Sequence, residues 1–247
     1  MTAMKVITLR TMRCYLFIPR YLLAIAAFIA FSNDFILVSG DQSIAKQTNV
    51  NVNVYYESLC GDSIRWIKDQ LLPSYTSLKK HLKITLIPYG KATQTRNAET
   101  GRWHFSCQHG PSECLGNKAQ ACGIHAIESN YEENEQQDQI VNLIGCTMSD
   151  QYPPSAVENC AVKQNLKEGA LKSISECTKA DNSLADDLLA ANGDKTWALN
   201  PQLSFVPTII INGVWSGENQ KAALHNFTNT ICAYLTEDER RLICPTL

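Results

Sequence analysis

Val50-Asn51-Val52-Asn53-Val54-Tyr55-Tyr56 reads as a strand, and Cys60-Gly61-Asp62-Ser63 follows it where a helical pattern begins. Valine alternates with asparagine and the run then turns aromatic, the period of two that marks a half-buried strand. From Ser63 to about Lys80, Ile64, Ile67, Leu71 and Leu78 fall near helical spacing, with Arg65, Lys68 and Asp69 between them. Pro73 lies inside this helix and is expected to kink or end it, because it lacks a backbone donor. Lys83 to Tyr89, carrying Ile84, Leu86 and Ile87, reads as a second strand closed by Pro88 and Gly90. Strand, helix and strand of this length predict parallel pairing through a right-handed crossover.

The cysteine at the junction carries the chemistry. Unpaired N–H groups and partial positive charge at a helix N-terminus favour a thiolate. Cysteines so placed have pKa values of ~3.5 to ~7.5, against ~8.5 for a free thiol. Asp62 opposes that activation if it sits near the sulfur, and its carboxylate can also accept a proton. The plain alternative is that Cys60 is one more structural half-cystine. Ser63 stands where a redox pair would carry its second thiol.

Beyond the second strand the pattern changes. Residues 91–200 read as a mainly helical insertion, with Cys107, Cys114 and Cys122 clustered near its start. Glu128 to Asp138 is rich in Glu, Gln and Asn, a solvated helix face, and Ile140 to Met148 continues it with apolar residues. After Pro153-Pro154, two more helical patterns carry Cys160 and Cys177. Strand character returns over Ser204 to Ile211, Asn212-Gly213 marks a hairpin turn, and Glu218 to Leu235 reads as a closing helix.

The chain of 247 residues, 45% hydrophobic with net charge -2, holds one good-sized domain and no basic stripe for nucleic acid. Lys5, Arg10, Arg13 and Arg20 precede the apolar run Tyr21 to Phe31, and Val38-Ser39-Gly40 follows. That order predicts a signal peptide over residues 1–40, a polar lead over 41–48 and the folded domain over 49–247. A retained signal anchor is the alternative, but Asn33 and Asp34 interrupt a stretch already short of the ~20 residues a span needs. No membrane association is expected after cleavage.

Ten cysteines with an export signal imply an oxidising compartment and structural disulfides. Cys14 falls in the predicted signal, which leaves nine, an odd number. Eight of them (Cys107, Cys114, Cys122, Cys146, Cys160, Cys177, Cys232 and Cys244) can pair and leave Cys60 free. Their connectivities number on the order of a hundred and stay open. Zinc is the other use for Cys107, Cys114 and Cys122, with His104, His109 and His125 nearby. Structural zinc pairs usually lie about two to four residues apart, whereas the gaps here are six and seven, so no metal is expected. His109 is read as ordering its loop, and His81 and His225 as plain surface or core residues. Asn226-Phe227-Thr228 is an N-glycosylation sequon and makes Asn226 a candidate glycosylation site.

Val206-Pro207 precedes the returning strand and is a candidate cis bond. In thioredoxin-like folds a cis-proline loop faces the active cysteine and its backbone pairs with substrate, which makes Val206 and Pro207 candidate substrate-binding residues. An ordinary strand-entry proline is the alternative. The run Cys107-Gln108-His109-Gly110, then Glu113-Cys114, Asn117 and Cys122, resembles the signature of the gamma-interferon-inducible lysosomal thiol reductase family. Tyr55-Tyr56-Glu57-Ser58-Leu59-Cys60 and Phe205-Val206-Pro207-Thr208 extend the resemblance over about Asn49 to Cys244. It implies an α/β, thioredoxin-like fold with a disulfide-stapled, mainly helical insertion. It also implies disulfide reduction at acidic pH in the endocytic pathway, with Cys60 as nucleophile.

Ser63 departs from that pattern, since typical family members carry a second cysteine there. A hydroxyl cannot attack a mixed disulfide, though Ser63 can donate a hydrogen bond to the Cys60 thiolate. The expected protein is therefore a secreted or endolysosomal thiol oxidoreductase with catalytic Cys60 and Ser63. It needs no bound cofactor and uses an external thiol, glutathione or cysteine, against protein disulfides. The alternative is a non-catalytic thioredoxin-like protein that binds or covalently traps partners through Cys60.

Overall fold

The structure is a computed structural model that describes residues 49–180 and 182–244. The predicted signal and polar lead, and Cys14 with them, lie outside the described residues. The remainder is a mixed α/β chain. Strand β1 (Val50–Tyr56) pairs in parallel with β2 (Leu82–Pro88), as the strand-helix-strand pattern requires, with Val54 opposite Leu86. A later strand, Thr208–Ile211, pairs antiparallel to the other edge of β1.

Between β1 and β2 the chain is continuously helical. Helix α1 (Gly61–Trp66) runs through a π-turn (Ile67–Leu71) into α2 (Leu72–Leu78). Pro73 does not end the helix. It falls in the first turn of α2, and the wider π-turn just before it accommodates the missing donor.

The insertion is mainly helical, as expected, but not wholly so. It opens with a hairpin of β3 (Thr93–Arg96) and β4 (Trp103–Ser106), antiparallel and separate from the main sheet. These strands are short and largely polar, with only Gln94 buried, so no hydrophobic alternation announced them. Then come α3 (Pro111–Asn130), α4 (Glu133–Ser149), α5 (Val157–Lys163), α6 (Glu168–Cys177) and α7 (Ser183–Trp197).

Strand β5 (Thr208–Ile211) is shorter than the stretch from Ser204, because Pro207 has no N–H for a ladder. Asn212 and Gly213, both at positive φ, turn the chain so that Val214 bridges back to Ile211. The closing helix is two helices, α8 (Gly217–His225) and α9 (Phe227–Cys232), with α10 (Glu237–Ile243) after them. The break falls at Asn226, which has non-helical dihedrals and whose side chain accepts from Asn229 N–H to cap α9.

The sheet order is β2-β1-β5, and both faces are covered. Val52, Val54 and Tyr56 share one face and pack with Ile67, Leu71, Ile144 and Phe227 in the main core. Tyr55 points the other way and meets Ile87 and Ile210. Each such aliphatic or aromatic side chain contributes about 1.5–3 kcal/mol by leaving water. A second core, centred on Ile127, Leu143, Val157 and Ile174, unites α3 to α6.

Four disulfides staple the described residues: Cys107–Cys114, Cys122–Cys177, Cys146–Cys160 and Cys232–Cys244. They join the loop after β4 to α3, α3 to α6, α4 to α5, and α9 to the end of α10. Among the described residues, no helix is long and apolar enough to cross a membrane.

Candidate active site around Cys60

Cys60 is the one free cysteine among the described residues. It caps the N-terminus of α1 in an extended conformation, and its carbonyl accepts from Ile64 N–H at 3.0 Å. Its thiol is 8% exposed and donates toward the main-chain oxygen of Val206, 3.9 Å away. The Val206-Pro207 bond is cis, and so is Asn200-Pro201, which the sequence did not single out. Gln220 holds this segment from α8: its Nε2 donates to Pro207 O at 2.9 Å and its Oε1 accepts from Ile209 N–H at 2.8 Å.

Asp62 turns outward into an exposed ion pair with Arg65 at 3.0 Å. A groove of about 430 Å³ opens beside the helix start, lined by Asp62, Arg65, Trp66, Phe205, Val206 and Pro207. Phe205 also borders a second groove with Trp215. Large apolar side chains therefore stand exposed on the face where the thiol lies.

Ser63 is fully buried. Its Oγ accepts from Glu57 N–H at 3.4 Å, and no hydrogen bond joins it to Cys60 among the described residues. The hydroxyl thus steadies the turn before Cys60 instead of touching the sulfur. Asn226 is exposed, with its Oδ1 accepting from Asn229 N–H at 3.0 Å.

The Cys107 signature folds onto the same turn. Asn117 Oδ1 accepts from Ser58 N–H at 2.9 Å, and Ser58 Oγ donates to Glu113 O at 3.1 Å. Gly116 packs so closely on Ser58 that a Cβ would collide with its hydroxyl. Glu57, unassigned by sequence reasoning, is fully buried and lies beside His109 and Glu113. Burial pushes its carboxyl up. Glu113 adds to that push, while the Lys91 N–H and the His109 and Lys91 charges oppose it. A lone acid directly after an apolar strand was the available signal, but His109 and Glu113 lie more than fifty positions away. Cys107 and Cys114 are bonded to each other and Cys122 to Cys177, so their sulfurs are not metal ligands. His104 lies on β4 and His125 on α3, apart from the group that His109 joins.

An α/β protein whose one unpaired thiol among the described residues stands at a strand-to-helix junction, backed by a disulfide-bonded signature loop, is of the thiol-chemistry class. The sequence pattern described as Gamma interferon inducible lysosomal thiol reductase (GILT) matches residues 51–164. A Gamma-interferon-inducible lysosomal thiol reductase-like protein of Anopheles gambiae is 35% identical over 193 residues, covering 77% of this chain and 78% of the relative. GILT-like protein 1 of Drosophila melanogaster is 31% identical over 83% of this chain and 82% of its own. The Gamma-interferon-inducible lysosomal thiol reductase of Carassius auratus is 30% identical over 79% and 72%. The chain belongs to the GILT family.

Proposed function

We propose that this protein is a thioredoxin-like thiol–disulfide oxidoreductase that works through Cys60 alone, in the endolysosomal or secreted compartment. The observation that carries the proposal is the one unpaired thiol among the described residues, set at the start of α1 against Val206 O and beside an apolar groove. The β2-β1-β5 sheet with α1 on its crossover supports the thioredoxin-like reading. The names of the relatives support thiol reduction and the lysosome. Signal residues 1–40 and glycosylation at Asn226 belong to the same reading.

The reaction needs three thiol–disulfide exchanges. The Cys60 thiolate attacks a substrate disulfide, forms a mixed disulfide and expels one substrate thiolate, which takes up a proton. An external thiol, glutathione or cysteine, then attacks the Cys60 sulfur and expels the second substrate thiol. A second equivalent restores Cys60 and leaves as the oxidised small thiol. Two small thiols are oxidised for each substrate disulfide reduced. A second cysteine of the substrate can instead attack the mixed disulfide, which gives isomerisation. Val206 offers its main-chain groups to an extended substrate, the cis bond to Pro207 and the Gln220 hydrogen bond to Pro207 O hold that segment in place, and Ser63 keeps the Cys60 turn in place.

The test is reduction of a protein disulfide at about pH 5 with excess small thiol. Turnover that disappears in Cys60→Ala is the expected result. A stoichiometric adduct without turnover would overturn it and identify a covalent trap.

A further inference from the structure

Glu57 sits in the turn before Cys60, His109 in the loop before α3, and Glu113 in the first turn of α3. The carboxylates of Glu57 and Glu113 are fully buried, while the His109 ring is 36% exposed. Each carboxylate gives Oε1 to a backbone donor. Lys91 N–H donates to Glu57 Oε1 at 2.7 Å, and His109 N–H donates to Glu113 Oε1 at 3.1 Å. Both Oε2 atoms are thereby turned on the same nitrogen, His109 Nδ1, at 3.4 Å from Glu57 and 2.5 Å from Glu113. Glu57 Oε2 is buried without a hydrogen-bond partner. Gly90, at φ +63, passes over the Glu57 carboxylate where any Cβ would collide with it.

The geometry points to a divalent-cation site formed by Glu57, His109 and Glu113, with zinc the ion its donors suit best. The three ligand atoms lie within 4.8 Å of one another. Zinc binds both imidazole nitrogen and carboxylate oxygen, and the imidazole favours it over the harder cations that carboxylates alone would suit. Bonds of about 2.0–2.2 Å would hold the ligands about 3.4 Å apart, so the His109 ring must draw back from Glu113 by about 1 Å. Its partial exposure gives it that freedom. The cation would place positive charge between the two buried carboxyl groups, whose Oε2 atoms both face His109 Nδ1. The backbone donors on each Oε1 do the orienting that supporting groups do at metal sites. A bound ion would tie the signature loop to the turn that carries Cys60. This inference does not depend on how the thiol reacts.

The experiment uses the protein with Cys60→Ala, so that the thiol is no ligand, stripped with chelator and titrated with zinc chloride against a chromophoric competitor at neutral pH. One equivalent should bind, and the unfolding midpoint should rise with zinc. Glu57→Gln and His109→Ala should each weaken binding by at least about tenfold, while the joint variant His104→Ala, His125→Ala should leave it unchanged. Because Glu57 is buried, its variant can fail to fold; His109→Ala, at a partly exposed ring, then decides. Absence of saturable binding, or equal affinity in His109→Ala, overturns the site and leaves a shared proton to balance the charges.

Discussion

Cys60 Sγ lies 3.9 Å from the main-chain oxygen of Val206, a residue 146 positions further along the chain. Strand β5 brings this contact about by pairing with β1, which sets the segment before β5 next to the end of β1. The thiol is therefore enclosed between the start of α1 and the Val206 carbonyl. The groove lined by Phe205, Val206 and Pro207 opens beside this enclosure.

Chain lacking residues 1–40 should present one titratable thiol under native conditions and none in Cys60→Ala. Iodoacetamide labelling followed by mass spectrometry checks this. Because Cys60 is only 8% exposed, small alkylating agents should react faster than bulky ones. A second native thiol would contradict the four pairings.

Ser63→Ala should cost about 0.5–1.5 kcal/mol, the ordinary worth of one hydrogen bond, by freeing the Glu57 N–H. Its effect on Cys60 alkylation should be small, since Ser63 does not touch the sulfur. Ser63→Cys should let the protein reduce one equivalent of substrate disulfide without added thiol and trap itself as an internal disulfide. Urea unfolding and single-turnover assays separate the two effects.

Gly90→Ala should destabilise the fold by on the order of 1–3 kcal/mol. The position has φ +63, and an added Cβ meets the buried Glu57 side chain. Gly101 also has positive φ but sits in open surroundings, and Gly101→Ala should cost less in the same urea series.

The Asp138 carboxyl is held below its ordinary range. Burial pushes it up, but hydrogen bonds from Lys79 and Tyr75 and the Lys79 charge outweigh that. A lowered carboxyl pKa adds stability above the unfolded value of about 3.9 and loses it as pH falls through the folded value. The side chains of Asp138 and Lys79 are about 40% exposed, so screening limits the pair to about 1 kcal/mol or less. Asp138→Asn should therefore be slightly less stable than the parent at pH 5 to 7. The difference should shrink below about pH 4, as followed by thermal unfolding across pH.

Removing Cys122–Cys177 by paired alanine substitution should cost more than removing Cys107–Cys114. The first closes a loop with separation 55 and the second one with separation 7. Loop-closure entropy alone gives about 4 kcal/mol for the longer loop and about 2 to 3 for the shorter. Comparison of denaturation midpoints for the two double variants tests the order.

Local pattern was enough to read β1, the helix from Cys60 onward and β2, because alternation and helical spacing are properties of neighbouring residues. The Cys107 signature identified the family by its residues alone. The hairpin of β3 and β4 escaped notice because its strands are short and mostly polar. Asn226 broke the closing helix because its side chain caps α9, and helical spacing on either side conceals such a break.

Sequence alone determined the strand-to-helix cysteine, the serine in place of a second thiol and an odd number of cysteines beyond the predicted signal. Only the tertiary structure decided which cysteines pair, that Ser63 supports Glu57 instead of Cys60, and that Glu57 meets His109 and Glu113. These are contacts between distant segments, made by burial and sheet pairing. A buried carboxylate has no local signature until the chain that covers it is in place.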